Sequence, residues 1–217
     1  MQVTMEWTYR TPKGTKASFY SEQLHAKEAL MVAADMEKWQ RIESLMFVDY
    51  RGNRWSEKQL LAYTEEIVTE PHDITVFFDG GFELAQYKAG LGCVVYYHQN
   101  GKAYRQRFSK FLEEINTNNE AEYASLYQCL ELLEELGVHD LPVTFKGDSK
   151  VVIHQLAGEW PCMEETLNRW ADKIEWKLNQ MGIDPVYQSI PRKENNEAHK
   201  LAAKALDGVE TNSTIEV

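Results

Sequence analysis

Three acidic residues in this sequence occupy positions where their carboxylates could take part in chemistry. Asp79 and Asp148 each close an apolar run typical of a β-strand, and Glu122 lies near the start of a predicted helix. Ligands collect beside strand ends in open sheets, near a switch in strand order. Carboxylate oxygens suit a hard cation such as Mg²⁺, although an aspartate at a strand end can also cap a turn or a helix. Together the three acids predict one cage of oxygen ligands for a divalent cation.

The helix predicted from Glu120 to Gly137 distinguishes two neighbouring glutamates. Its apolar stripe, at helical spacing, consists of Leu126, Cys129, Leu130, Leu133 and Leu136. Glu122 lies four positions before Leu126 and therefore on the buried edge, whereas Glu120 lies six positions before it and is expected to face solvent. A buried charge is unfavourable unless it is paired or binds a metal. Glu122 is therefore the candidate ligand.

The elements that would hold these acids fall into two predicted domains. Residues 1–72 form a predicted small α+β domain, and the stretch TEPHD at 69–73 is the expected boundary. Residues 73–208 contain three strands in a meander followed by alternating helices and strands, which predicts a mixed α/β sheet with helices on its faces. Residues 209–217 are expected to be a frayed tail.

Four motifs occur in order in the second domain: DGG with GLG, TNNEAEY, GDSKVVIHQLAGEW and IPRKENNEAHKLA. Over residues 74–208 they resemble the type 1 ribonuclease H family. The resemblance implies a ribonuclease H-like fold, in which a five-stranded mixed sheet is flanked by helices and the first three strands are antiparallel. It also implies hydrolysis of the RNA strand of an RNA–DNA hybrid with two divalent ions, Mg²⁺ or Mn²⁺. In the family these ions are held by acids that match Asp79, Glu122 and Asp148.

The resemblance places further residues beside the substrate. Gly80 and Gly81 would let a sugar-phosphate backbone approach closely, because glycine has no Cβ. RNA would be distinguished from DNA by its 2′-hydroxyls. Asn118 and Asn119 resemble family amides that contact the hybrid, although an asparagine here can also cap the helix.

Three basic or titratable residues complete the predicted site. Arg192 lies in the loop where family members carry a His or an Arg that assists proton transfer or product release, and a plain surface arginine is the alternative. Lys150 and His154, on the helix after Asp148, could face either phosphate or solvent.

His199 departs from the family pattern. The last helix usually carries a fourth carboxylate in a pattern close to N-x-x-A-D-x-L-A, and this chain has His199 at the acid position. Imidazole binds Mn²⁺ more readily than Mg²⁺, which prefers oxygen ligands. As a metal ligand, His199 would therefore favour Mn²⁺; the alternative is that it packs or hydrogen-bonds beside the site.

The first domain lacks the basic character of a hybrid-binding module. It holds 9 Lys and Arg against 11 Asp and Glu, a net charge of −2. Its aromatic residues alternate with polar ones and are expected to form core: Trp7, Tyr9, Trp39, Tyr50 and Trp55. A structural or protein-contact role is therefore favoured over substrate handling for residues 1–72.

Composition bounds the remaining possibilities. The chain has 217 residues, 43% hydrophobic, with a net charge of −11, which argues against a dedicated nucleic-acid-binding protein. Its longest apolar run, CVVYY, is far shorter than a membrane span, and no signal peptide is visible. The cysteines Cys93, Cys129 and Cys162 lack metal-binding spacing, so they predict reduced thiols and a cytoplasmic location.

Two other functions compete with hybrid hydrolysis. A non-catalytic nucleic-acid-binding or regulatory module on the same fold is supported by His199 but opposed by the intact set of three acids. A 3′→5′ exonuclease on a related fold would carry D-x-E on its first strand, and Asp79-Gly80-Gly81 lacks that glutamate.

Overall fold

The structure of the chain is a computed structural model that describes residues 1–66, 68–85 and 87–217, leaving aside the side chains of Trp39 and Glu66. The core prediction for Trp39 therefore lies outside the described side chains. The chain divides into two compact units, Met1–Thr69 and Glu70–Val217. Within the described residues, no helix combines the length and the apolar character needed to cross a membrane.

The first unit is an antiparallel sheet with two helices. Its elements are β1 (Gln2–Arg10), β2 (Lys16–His25), α1 (Ala26–Met36), β3 (Ile42–Asp49), β4 (Arg54–Trp55) and α2 (Glu57–Glu66). The strand order is β2-β1-β3-β4. Ser56 starts α2 with the capping interaction that its spacing from Gln59 suggests, since the Ser56 amide donates to Gln59 Oε1 at 2.9 Å.

The fully buried centre of the first unit is formed by residues other than the predicted aromatic ones. Met5, Phe47 and Leu60 are fully buried. Trp7 and Trp55 pack against this centre while only partly buried, and Tyr50 is 46% exposed. The core prediction was therefore wrong for Tyr50, which lies in the turn after β3, where alternation no longer decides burial.

The second unit is a six-stranded mixed sheet with helices on its faces. Its elements are β5 (His72–Glu83), β6 (Lys88–Gln99), β7 (Lys102–Glu113), α3 (Asn118–Glu135), β8 (Pro142–Gly147), α4 (Lys150–Leu156), α5 (Glu165–Gln180), β9 (Asp184–Ser189), a 3₁₀ helix (Arg192–Glu194), α6 (Asn196–Leu206) and β10 (Thr211–Glu216). The strand order is β10-β7-β6-β5-β8-β9. β5 pairs antiparallel with β6 and parallel with β8, so the sheet changes direction at β5.

The expected frayed tail is instead a sixth strand. β10 pairs antiparallel with β7, from Thr211 opposite Ser109 to Glu216 opposite Tyr104. Without β10, the edge of β7 would expose unpaired backbone N–H and C=O groups. The stretch TNSTIE carries little apolar signal, which is why hydrophobic patterning missed it.

β5 also differs from its prediction, because it does not end at Asp79. Its pairing with β6 continues to Glu83, whereas its pairing with β8 stops at Phe77. Asp79 therefore lies where β5 runs past the end of its parallel neighbour.

Two helices approach the sheet so closely that the strands beneath them need glycine. A Cβ on Gly80 would lie 2.2 Å from the carbonyl carbon of Ala121 in α3, and a Cβ on Gly92 would lie 2.1 Å from the carbonyl oxygen of Ala198 in α6. Both distances are far below van der Waals contact. The sequence DGG…GLG thus sets how near α3 and α6 come to β5 and β6.

The cysteine prediction was wrong for two of the three residues. Cys93 on β6 and Cys129 on α3 are joined by a disulfide, with Cα atoms 5.9 Å apart, while Cys162 is free. Both paired residues are buried in the main core between the sheet and α3. They are 36 residues apart in the chain, so only the packing of helix on strand reveals the pair.

The close approach of α6 can be tested with two alanine substitutions. Gly92→Ala should destabilise the packing of α6 on β6 by about 2–3 kcal/mol, because the new methyl group meets backbone that cannot rotate away. Gly81→Ala should have a much smaller effect, since its nearest new contact is the flexible Cδ1 of Leu206 at 3.1 Å. Amide hydrogen exchange of β6 and α6 measures both; similar protection in the two variants would contradict this packing argument.

Candidate active site

The three predicted acids meet at one point of the second unit. Among the described residues, Asp79, Glu122 and Asp148 form a group in which one carboxylate oxygen from each lies within 4.8 Å of the others. Asp79 comes from β5 just past the end of its pairing with β8, Asp148 directly follows β8, and Glu122 is in the second turn of α3. The switch from antiparallel to parallel pairing at β5 is what brings these elements together.

Burial and mutual repulsion make the charged state of this cluster unfavourable without a cation. The side chain of Glu122 is buried, and burial together with the charges of Asp79 and Asp148 raises its pKa well above the ordinary value. Burial likewise raises the pKa of Asp79 to about 6, and the charge of Asp148 acts in the same direction. Three oxygen donors whose charges repel one another fit a hard divalent cation such as Mg²⁺ or Mn²⁺.

Backbone and side-chain donors hold the acids in place. Glu122 Oε2 accepts a hydrogen bond from the Gly80 amide at 3.2 Å. The close packing at Gly80 makes this contact possible. Gly80 therefore serves the site through its amide and its lack of a side chain.

Asn195 is a site residue that the sequence reasoning missed. It is 1% exposed, and its Nδ2 donates to the Phe78 carbonyl at 2.8 Å and to Asp148 Oδ1 at 2.9 Å. Its backbone carbonyl oxygen accepts from the His199 amide in α6. Asn195 thus ties together β5, Asp148 and α6. The motif position that it shares with the family was the available signal.

His199 lies beside the cluster but outside the group of three potential ligands. Its Nδ1 is 3.0 Å from Asp79 Oδ2, and its Nε2 is 3.0 Å from Arg192 Nη2. Arg192 Nη2 also lies 3.3 Å from Nδ1, so the guanidinium is close to both ring nitrogens, while Asp79 can accept from Nδ1–H. Ligation of a metal by His199, and the Mn²⁺ preference that would follow from it, stays a prediction.

Glu120, expected to face solvent, is buried. Its Oε2 accepts from the Asn116 amide at 2.9 Å, and its Oε1 accepts from Trp170 Nε1 at 3.2 Å. Thr117 is the N-cap and accepts from the Glu120 amide. The helix stripe gave the wrong expectation because Trp170 of α5 covers this side of the first turn. Glu120 supports the helix start rather than the cluster of three carboxylates.

The residues predicted to contact substrate differ in their surroundings. The space above Gly80 is filled by α3, and Leu206 of α6 lies 3.1 Å from the Cβ position of Gly81, so both glycines lie close beneath helices. Asn118 is exposed and Asn119 is partly exposed in the first turn of α3, and neither is the N-cap.

The two residues predicted on the helix after Asp148 have different surroundings. Lys150 is exposed at the first position of α4. The His154 ring stacks on Trp160, with centroids 4.5 Å apart, and its Nδ1 lies 2.6 Å from Glu159 Oε2. His154 is therefore engaged by its own loop, whereas Lys150 is open to solvent.

Known proteins share both the sequence and the architecture. Residues 77–205 match the family described as "Reverse transcriptase-like". The chain is 44% identical over 196 residues to "Uncharacterized protein YpeP" of Bacillus subtilis, which covers 89% of this chain and 86% of that protein. It is 35% identical over 92 residues to "Ribonuclease HI" of Halobacterium salinarum, covering 42% of this chain and less than half, 44%, of that enzyme.

A solved structure extends the likeness to three dimensions. The crystal structure of LC11-RNase H1 in complex with an RNA/DNA hybrid is 29% identical, with a TM-score of 0.55, and covers 63% of this chain and 98% of the other. That share of this chain corresponds in size to the second unit. Fold and acid cluster together define a protein of the ribonuclease H-like class, which confirms the predicted fold. The chain belongs to the reverse transcriptase-like family, with type 1 ribonucleases H as its relatives.

The electrostatic account of the cluster predicts how its stability depends on pH and metal. A carboxyl whose pKa is raised on folding contributes stability below its unfolded pKa and loses it as the pH rises through the folded value. Metal-free Glu122→Gln should therefore be more stable than wild type at pH 8, by at least about 1 kcal/mol for each unit of pKa shift. The gain should shrink as the pH falls toward 5.

Divalent ions should make wild type the more stable of these two proteins. Mn²⁺ or Mg²⁺ should raise the melting temperature of wild type and leave that of Glu122→Gln nearly unchanged, because only the wild type keeps all three charges. Glu135→Gln, at an exposed position on the same helix, is the matched control and should behave as wild type. A metal-induced shift of equal size in both variants, measured by thermal denaturation, would argue against a metal site at this cluster.

Proposed function

We propose that this protein is an endonuclease that hydrolyses the RNA strand of RNA–DNA hybrids by a two-metal mechanism. The observation that supports this most is the group of Asp79, Glu122 and Asp148, of which the first two are buried, on a fold shared with type 1 ribonucleases H. A related solved enzyme carries an RNA/DNA hybrid in its crystal structure. Hard divalent ions, Mg²⁺ or Mn²⁺, would be held by these three carboxylates.

Bound at that cluster, a pair of divalent ions would supply an activated water and would stabilise the leaving oxygen of the phosphodiester. The protein's own part is to keep the carboxylates ionised, oriented and close. Asn195 occupies Asp148 Oδ1 through its amide, which leaves Oδ2 to face a cation. The Gly80 amide similarly orients Glu122.

His199 would act on the site through Asp79 rather than as a ligand. Its Nδ1–H holds Asp79 Oδ2 and lowers the pKa of that carboxyl against the larger effect of burial. Arg192 lies behind it, and its charge lowers the pKa of Glu122. The Arg192 guanidinium would also meet the negative charge of a phosphodiester close to the carboxylates.

Substrate contacts would come from exposed polar residues around the cluster. Asn118 and Asn119 are the first residues of α3, about one turn before Glu122. Lys150 is the first residue of α4 and follows Asp148 and the N-cap Ser149. Amide groups can hydrogen-bond the 2′-hydroxyls by which RNA differs from DNA, and Lys150 offers a charge to phosphate. The first unit would serve a structural or protein-contact role.

A binding module without catalysis is the second candidate. The observation that favours it is His199, which gives the cluster three carboxylates where the family pattern has four. Such a protein would bind the hybrid and metal at the same place without cutting RNA.

A cleavage assay with matched variants tests the proposal. Wild-type protein should cut the RNA strand of a labelled RNA–DNA hybrid with Mg²⁺ or Mn²⁺, and Glu122→Gln and Asp148→Asn should each lower the rate by at least about a hundredfold, roughly 3 kcal/mol of transition-state stabilisation. Glu135→Gln should cut at the wild-type rate. All variants should keep the wild-type circular dichroism spectrum.

The alternatives give different results in the same assay. Hybrid binding with no cleavage in either metal would favour the binding module. Equal losses of cleavage rate in Glu122→Gln and Glu135→Gln would show that the cluster is not the active site.

A further inference from the structure

A groove with mostly positive walls lies between α6 and β7. We call it the α6–β7 groove; it has a volume of about 330 Å³ and is lined by Arg107, Asn196, Glu197, Lys200, Leu201 and Lys204. Lys200 and Lys204 are exposed on α6, and Arg105 and Arg107 are partly exposed on β7. None of these residues belongs to the carboxylate cluster.

The charges of this groove are not balanced within it. Glu197 is shared by two guanidiniums, with its Oε1 at 3.3 Å from Arg105 Nη1 and at 4.0 Å from Arg107 Nη1. The Nε atoms of both arginines are buried without a hydrogen-bond partner. One carboxylate is therefore shared by two arginines, and Arg107, Lys200 and Lys204 line the same groove as Glu197. Like charges gathered this way are unfavourable unless an anion joins them.

The surroundings make this excess unusual. Residues 73–217 hold 14 Lys and Arg against 23 Asp and Glu, a net charge of −9. Three of those cations, Arg107, Lys200 and Lys204, nevertheless line one groove together with a single acid, Glu197. The groove therefore focuses positive potential on a protein that elsewhere repels polyanions.

The spacing of the cations suits a chain of phosphates better than a single small anion. Asn196, Lys200 and Lys204 recur every four residues, which is about 6 Å per step along a helix. Arg105 and Arg107 are two positions apart and lie on the same face of β7, about 7 Å apart along the strand. Successive phosphates of a nucleic acid strand repeat at a similar distance, so both walls can contact a phosphodiester backbone in register.

The groove and the active site share helix α6. Asn195, which donates to Asp148, immediately precedes α6, and His199, which contacts Asp79, is adjacent to Lys200 in the same helix. A strand that leaves the cluster along α6 meets Lys200 first and Lys204 one turn later. We propose that the α6–β7 groove binds the phosphate backbone of a nucleic acid strand outside the catalytic cluster. This inference rests on the proposed function, because the strand is taken to belong to an RNA–DNA hybrid.

Charge reversal tests the groove directly. The double variant Lys200→Glu/Lys204→Glu is compared with wild type by fluorescence anisotropy of a labelled 20-base-pair RNA–DNA hybrid in EDTA, over a series of salt concentrations. Binding should weaken at least tenfold at low salt. The slope of log K against log salt should fall by about 2, because two phosphate contacts are lost. Lys110→Glu/Lys173→Glu, which makes the same charge change at exposed positions away from the groove, should weaken binding less than threefold.

Each outcome decides the proposal. Equal weakening by both double variants, unchanged binding in the groove variant, or no binding of the hybrid by wild type would overturn it. Cleavage by wild type in Mg²⁺ or Mn²⁺ is measured in parallel. If wild type binds through the groove yet does not cleave, the proposed function fails while the groove stands; if it cleaves and the groove variant binds normally, only the groove proposal fails.

Discussion

The second unit is organised around the need to bring three carboxylates together, two of them buried. Asp79, Glu122 and Asp148 lie within 4.8 Å of one another, in surroundings that raise the pKa of Glu122 and of Asp79. Such an arrangement lowers stability unless a cation is bound, so other features must enforce it. The end of β8 beside a continuing β5, the Gly80 amide and the Asn195 side chain do so. The cluster therefore lowers the stability of this region, and it also provides a site that can hold metal.

The close approach of helices to the sheet is the second constraint. α3 lies directly on Gly80 and α6 directly on Gly92, and these two helices carry Glu122 and His199. A larger residue at either glycine would move a helix by more than the tolerance of a metal site. The same approach of α6 sets the position of Asn195 at its start and of Lys200 and Lys204 along its outer side. The site and the α6–β7 groove thus depend on one packing contact.

Sequence reasoning succeeded where the chemistry was local and failed where it depended on packing. The spacing of Glu122 from the leucine stripe identified it as buried, and two strand-terminal aspartates supplied its partners. Glu120 was misjudged because Trp170, fifty positions away, covers it. Patterning also missed β10, which is stabilised by the open edge of β7, and the Cys93–Cys129 pair, which joins a strand to a helix. For His199 the sequence left metal ligation and hydrogen bonding beside the site as alternatives, because only the packed structure shows that its ring contacts Asp79 and Arg192.

The most direct test of this account is the position of bound metal. Crystals of the protein soaked in Mn²⁺ at pH 8 would show the ion in an anomalous difference map. The account predicts density bounded by carboxylate oxygens of Asp79, Glu122 and Asp148, with the His199 ring still between Asp79 and Arg192. Density coordinated by a His199 nitrogen, or absent from the three carboxylates while the soaked crystals carry Mn²⁺ elsewhere, would contradict it.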